Sequence, residues 1–191
     1  MRLKQRLAGL YIRVHLPGCS LTIIWAYSAA DTTFITDQVD VIPLPMTDCC
    51  MLEAFSGTSW SSNRIDLVAT NGDLRQMWHT SWDASYGWQA DWDSLGGQWF
   101  GPATIVSWSA DRLDLFGLDN ETFRMMHNYW NGASWGDGWS ALNDQTFAAG
   151  GAFAVASWGP DRLDVFGVGN DDKAMYHQSV SSLQRNADLL Y

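Results

Sequence analysis

An eight-residue phrase occurs three times at nearly constant spacing and constrains the fold more than any other feature of this chain. It reads Trp60-Ser61-Ser62-Asn63-Arg64-Ile65-Asp66-Leu67, then Trp108-Ser109-Ala110-Asp111-Arg112-Leu113-Asp114-Leu115, then Trp158-Gly159-Pro160-Asp161-Arg162-Leu163-Asp164-Val165. Arg64 and Arg112 are 48 positions apart, and Arg112 and Arg162 are 50 apart. Each Asp of the phrase is followed 13 positions later by a histidine: His79, His127 and His177. A period of this length marks a supersecondary unit stacked on copies of itself, and strand-rich units of this size are propeller blades.

The pattern inside one unit predicts four short strands. Ala103 to Trp108 reads as the first, and Arg112 to Phe116 as the second. In that second strand Leu113 and Leu115 share one face, and Arg112, Asp114 and Phe116 the other. Asp119-Asn120-Glu121 supplies a turn, Phe123 to Trp130 a third strand, and Gly138 to Leu142 an outer strand after a glycine-rich loop. The expected architecture is all-β: four-stranded antiparallel blades forming an incomplete propeller of about three units. These units are 53–102, 103–151 and an incomplete 152–191.

Residues 1–52 lack the phrase and read as a divergent N-terminal extension. Projecting Arg64 back by one period lands on Leu16, and Val39-Asp40-Val41 stands too close to Arg64 to begin another unit. The positive start Met1 to Arg6 and the small residues Ser28-Ala29-Ala30 give a weak signal-like character. Arg13, His15 and Pro17 interrupt the apolar stretch, so it is too short to span a bilayer. The compartment, secreted or cytoplasmic, is left open.

With 21 acidic against 11 basic side chains the formal charge is −10, and no basic run relieves it. Such a chain repels phosphate backbones and anionic bilayers, which argues against nucleic-acid binding. A neutral ligand is compatible. Cys19, Cys49 and Cys50 all precede the repeats and show no zinc-type spacing. His79, His127 and His177 sit at equivalent places in separate units and so cannot share a metal. Asp119-Asn120-Glu121 and Asn170-Asp171-Asp172 read as turns, not calcium loops. No cofactor or metal is expected.

The consensus Ser-Trp-Gly-x-Asp-Arg-Leu-Asp-Val-Phe, best seen in Ser157 to Phe166, with its Gly-x-Asp/Asn turn and Met-x-His, resembles the PLL-like lectin repeat. That family comprises bacterial and fungal seven-bladed propellers binding fucose and related, sometimes O-methylated, sugars in clefts between blades. The resemblance covers residues 53–180 and implies the same fold and ligand class here. A seven-bladed ring needs about 340 residues at this period, so the chain is either part of a longer propeller or a homo-oligomer that completes a ring. The first unit also departs from the pattern, with Val68-Ala69 in place of Phe116-Gly117 and Phe166-Gly167.

Twelve tryptophans are the compositional outlier, most of them between Trp60 and Trp139. Each has two readings, core wedge or stacking platform for a sugar ring. The Arg-x-Asp pairs likewise either form a network locking each blade to the next or bond adjacent sugar hydroxyls. The candidate carbohydrate-binding residues are Trp82, Trp92, Arg112, Asp114, His127, Trp130, Trp139, Arg162, Asp164 and His177. Identical acidic residues in every unit and the lack of a nucleophile motif argue against an enzyme. The competing function is a non-catalytic protein-interaction propeller, and a truncated fragment without a function of its own is the third reading.

Overall fold

The computed structural model describes residues 11–15, 20–24, 39–43, 52–71, 75–150 and 153–181. The chain divides into two compact units, residues 1–49 and 50–191. In the first, Tyr11–His15 (β1), Ser20–Ile24 (β2) and Val39–Pro43 (β3) form an antiparallel meander. Most of the signal-like stretch, including Met1 to Arg6 and Ser28 to Ala30, lies outside the described residues, as do all three cysteines.

The second unit holds the repeats, and each repeat is one antiparallel sheet. The first blade comprises Leu52–Ser61 (β4), Arg64–Asn71 (β5) and Met77–Asp83 (β6). Its outer edge is split into Gly87–Trp88 (β7) and Asp93–Gly96 (β8), both paired with β6. The second blade is Thr104–Val106 (β9), Leu113–Leu118 (β10), Arg124–Trp130 (β11) and Ser140–Thr146 (β12), paired in that order. The third shows Phe153–Gly159 (β13), Arg162–Val168 (β14) and Met175–Val180 (β15). The chain is an incomplete β-propeller of about three blades.

The repeated spacing follows from hairpin geometry. Asp66 lies opposite Ser81, Asp114 opposite Tyr129, and Asp164 opposite Ser179. Two residues nearer the turn, on the same face, stand His79, His127 and His177. Thirteen positions is therefore the diagonal neighbour across one hairpin. The Asn/Asp of the phrase also has a backbone reason in two units, because Asp111 and Asp161 have φ of 57° and 58°. Asn and Asp tolerate this left-handed region better than other non-glycine residues.

Blades stack through both faces of the middle strand. Leu113 and Leu115 join Val68, Met77 and Ile105 in one buried cluster between the first and second blades. Phe116 and Leu118, on the opposite face, join Leu163, Val165 and Val180 between the second and third. Every residue from Leu113 to Leu118 is accordingly buried. The middle strand of a stacked blade has no solvent face.

A second left-handed position recurs with no conserved residue type: Arg75, Phe123 and Lys173, with φ of 54°, 56° and 57°. Phe123 is held there by its ring packing near Phe100, but Lys173 is exposed. Lys173→Gly removes a Cβ penalty while adding some unfolded-state entropy, so a net gain of up to about 1 kcal/mol is expected. Urea denaturation checks this as a raised midpoint with unchanged slope.

Candidate functional site

Each blade carries one Arg–Asp–His cluster, built by two strands of the same sheet. Arg112 donates from Nε and Nη2 to the Asp114 carboxylate at 2.8 and 2.6 Å, and His127 Nε2 lies 2.7 Å from Asp114 Oδ1. Arg64, Asp66 and His79 repeat this with Nη2–Oδ1 at 2.9 Å and His Nε2–Oδ1 at 3.0 Å. Arg162, Asp164 and His177 repeat it at 2.6 and 2.7 Å. A tryptophan flanks each guanidinium: Trp60 at 4.8 Å, Trp108 at 5.4 Å and Trp158 at 5.6 Å. Arg and Asp share a strand and His sits on its hairpin partner, so these bonds lie within one blade.

Burial pushes the Asp114 carboxyl up, but bonds from Arg112 and His127 outweigh it and hold the group well below the usual carboxylate range. For His79, burial lowers the ring's pKa, but the carboxylates of Asp66 and Asp93 outweigh burial and raise it. Asp93 stands in the first blade where the second has Ser140: each pairs with its blade's histidine. Its Oδ2 is 3.8 Å from His79 Nδ1, an atom with no hydrogen-bond partner among the described residues.

The first blade's cluster opens into a cavity of about 360 Å³ between the first and second blades. The first blade lines it with Arg64, His79, Ser81, Asp83, Tyr86, Gly87, Trp88, Gln89 and Asp93. The second contributes Leu113, Trp130 and Trp135. Trp130 and Trp135 meet edge to face with centroids 5.6 Å apart, and Trp135 stands edge-on to the His79 ring at 5.0 Å. Apolar rings therefore meet a guanidinium, an imidazole and two carboxylates in one recess, which suits a ligand with one apolar face and a rim of hydroxyls.

The ten residues singled out in the sequence do not converge on that recess. Trp130 lines it. Trp92 is buried, and Trp139 packs at 4.1 Å on Trp99 while donating Nε1 to the Leu95 carbonyl at 2.9 Å. Trp82 is half-buried in β6, paired with Ile65 and Trp88. Arg112, Asp114 and His127 lie on the face that the second blade turns to the third, with Asp114 fully buried. Arg162, Asp164 and His177 lie on the outward face of the third blade, where Trp158 is 76% exposed. Arg64 and His79 are the copies that reach the cavity, and the repeat itself could have added them. Trp88 and Trp135 each stand four positions before Trp92 and Trp139, a second periodic signal that points to them.

No family model matches the chain, and no curated protein sequence matches it. Among solved structures it is similar to a mutant Aleuria aurantia lectin in complex with Fucα1-6GlcNAc. That match has a TM-score of 0.52 and 14% identity, covering 84% of this chain and 50% of that one. A complex of the same lectin with α-methyl-L-fucoside gives 0.54 and 12%, covering 89% and 56%. The chain thus spans about half the length of the lectin it matches. Repeated antiparallel blades and this likeness together establish that the chain has a β-propeller fold.

Proposed function

We propose that the chain is a carbohydrate-binding lectin-like protein that takes L-fucose or a related, O-methylated sugar between its first and second blades. The observation that carries this reading is the cavity in which Trp88, Trp130 and Trp135 meet Arg64 and His79. Its volume of about 360 Å³ suits a small sugar unit, at the lower end of ordinary ligand pockets. One tryptophan stacks on the apolar face of the ring, while the Arg64 guanidinium donates to hydroxyls and Asp93 accepts from them. Asp66 is committed to Arg64 and His79; its role is to hold both donors in place. Likeness of fold to a lectin solved with fucosides supports the ligand class.

A single recess of this kind binds weakly, and avidity requires several such sites to be held together. The test is calorimetric titration of L-fucose into the full chain, with molar mass from light scattering on the same sample. Saturable heat that Trp130→Ala reduces at least tenfold in affinity, with the folded state retained, is the expected result. Silence toward L-fucose and α-methyl-L-fucoside in a folded sample, with capture of a protein partner that glycans do not compete, would install the protein-interaction reading instead.

A further inference from the structure

The second hairpin differs from the other two at the position opposite the repeated Asp, and that difference bears on which cleft is open. Ser81, Tyr129 and Ser179 face Asp66, Asp114 and Asp164 across the ladder. Ser81 lines the cavity of the first cleft, and its hydroxyl donates to Gln89 Oε1 at 2.6 Å. In the second blade the Tyr129 ring lies only 4.2 Å from the Arg112 guanidinium carbon and 6.0 Å from the His127 ring, stacked on it. Arg112 therefore has two aromatic rings beside it, Tyr129 and Trp108, whereas Arg64 has Trp60. The guanidinium side chain is correspondingly less exposed, 14% against 24% for Arg64.

We propose that this position is the gate of the inter-blade clefts, with Ser81 leaving the first open to a ligand and Tyr129 closing the second by placing the protein's own ring over Arg112. The inference rests on the sugar-site reading for its ligand, but not for its geometry. Tyr129 lays an aromatic face on the Arg112 guanidinium, where a bound sugar would need its hydroxyls to accept from those N–H groups. The far wall differs as well: Val180 stands where the first cleft has Trp130, each opposite its strand's leucine, Leu163 and Leu113. A chain of this kind would present one live site from two clefts of the same design.

Two readouts separate the gate from the ligand. In the first, the full chain is treated with phenylglyoxal, an arginine-directed reagent, and labelling at Arg64 and Arg112 is followed by peptide mass spectrometry. Arg64 should react several-fold faster in the parent, and Tyr129→Ser should bring Arg112 up to the Arg64 rate without changing Arg64. Equal rates in the parent, or no change at Arg112 in Tyr129→Ser, would overturn the gate whatever the sugar result. In the second, L-fucose is titrated by calorimetry into Ser81→Tyr, with Ser179→Tyr as the control on the third blade. Loss of at least tenfold in affinity for Ser81→Tyr alone supports the gate, and equal affinity in all three proteins overturns it. Labelling that behaves as expected in a parent that gives no fucose heat sustains the gate and removes only the sugar reading. Should Ser81→Tyr fail to fold, Tyr129→Ser decides the question through the labelling rates.

Discussion

Asp114→Ala is expected to lower stability by about 3–5 kcal/mol, the range for removing one partner of a buried ion pair. Its carboxylate is fully buried and takes two hydrogen bonds from Arg112 and one from His127. Removal leaves a guanidinium and an imidazole with no anion, in a place water barely reaches. Asp164→Ala deletes the same atoms of the same repeat position, yet should cost only a small fraction of that. His177 is 48% exposed where His127 is 4%, so water can replace the missing carboxylate. Urea denaturation of the two variants measures the difference. Equal losses would mean that stacking by the following blade is not what makes the cluster matter. Acid titration adds a second check. The folded-state pKa of Asp114 is depressed, so its contribution is present above the unfolded value of about 3.9 and is lost as pH falls toward the depressed one. Asp114→Ala should therefore lose less stability than the parent on acidification below that value.

Sequence and structure agree where one repeat is sufficient to decide, and part where two are needed. The Arg112–Asp114–His127 cluster is legible because hairpin pairing converts a 13-residue spacing into a diagonal contact, and all three members belong to one sheet. The strand faces are legible as well, since alternation separates Leu113 and Leu115 from Asp114 and Phe116. Which face meets which neighbour is not written in any single unit. The cavity takes its cluster from the first blade and Leu113, Trp130 and Trp135 from the second, so one of its walls belongs to the next repeat. Tryptophans show the same limit. Trp139 and Trp130 look alike in sequence, but one fills the space beside Trp99 and the other faces the recess. Trp135 follows a loop one residue shorter than the one before Trp88, residues 131–134 against 83–87, and a small change of loop length is enough to re-aim a ring.

The second large effect concerns the Phe-Gly pair after the repeated phrase. A Cβ at Gly117 would lie 2.6 Å from Trp99 Cε3 and 3.0 Å from Met77 Cε. Trp99 cannot easily retreat, because it is buried, donates Nε1 to the Gly96 carbonyl at 2.8 Å and packs on Trp139. Gly117→Ala should therefore cost about 1–3 kcal/mol by overpacking, and Gly117→Val more. Gly167 has the same relation to Phe147, at 2.6 Å, and should behave alike. Gly159→Ala meets nothing within 4 Å and serves as the neutral control. The effect should extend to ligand binding. Trp99 and Met77 share their cluster with Leu113, which forms part of the cavity wall, and Trp130 and Trp135 pack against that cluster. A glycine at this position thus lets the segment joining two blades lie flat on the next sheet and sets the wall against which the recess is built. Combining Gly117→Ala with Trp99→Leu should recover part of the stability lost, since the smaller side chain makes room for the methyl group. Strictly additive losses in that double variant would place the clash elsewhere.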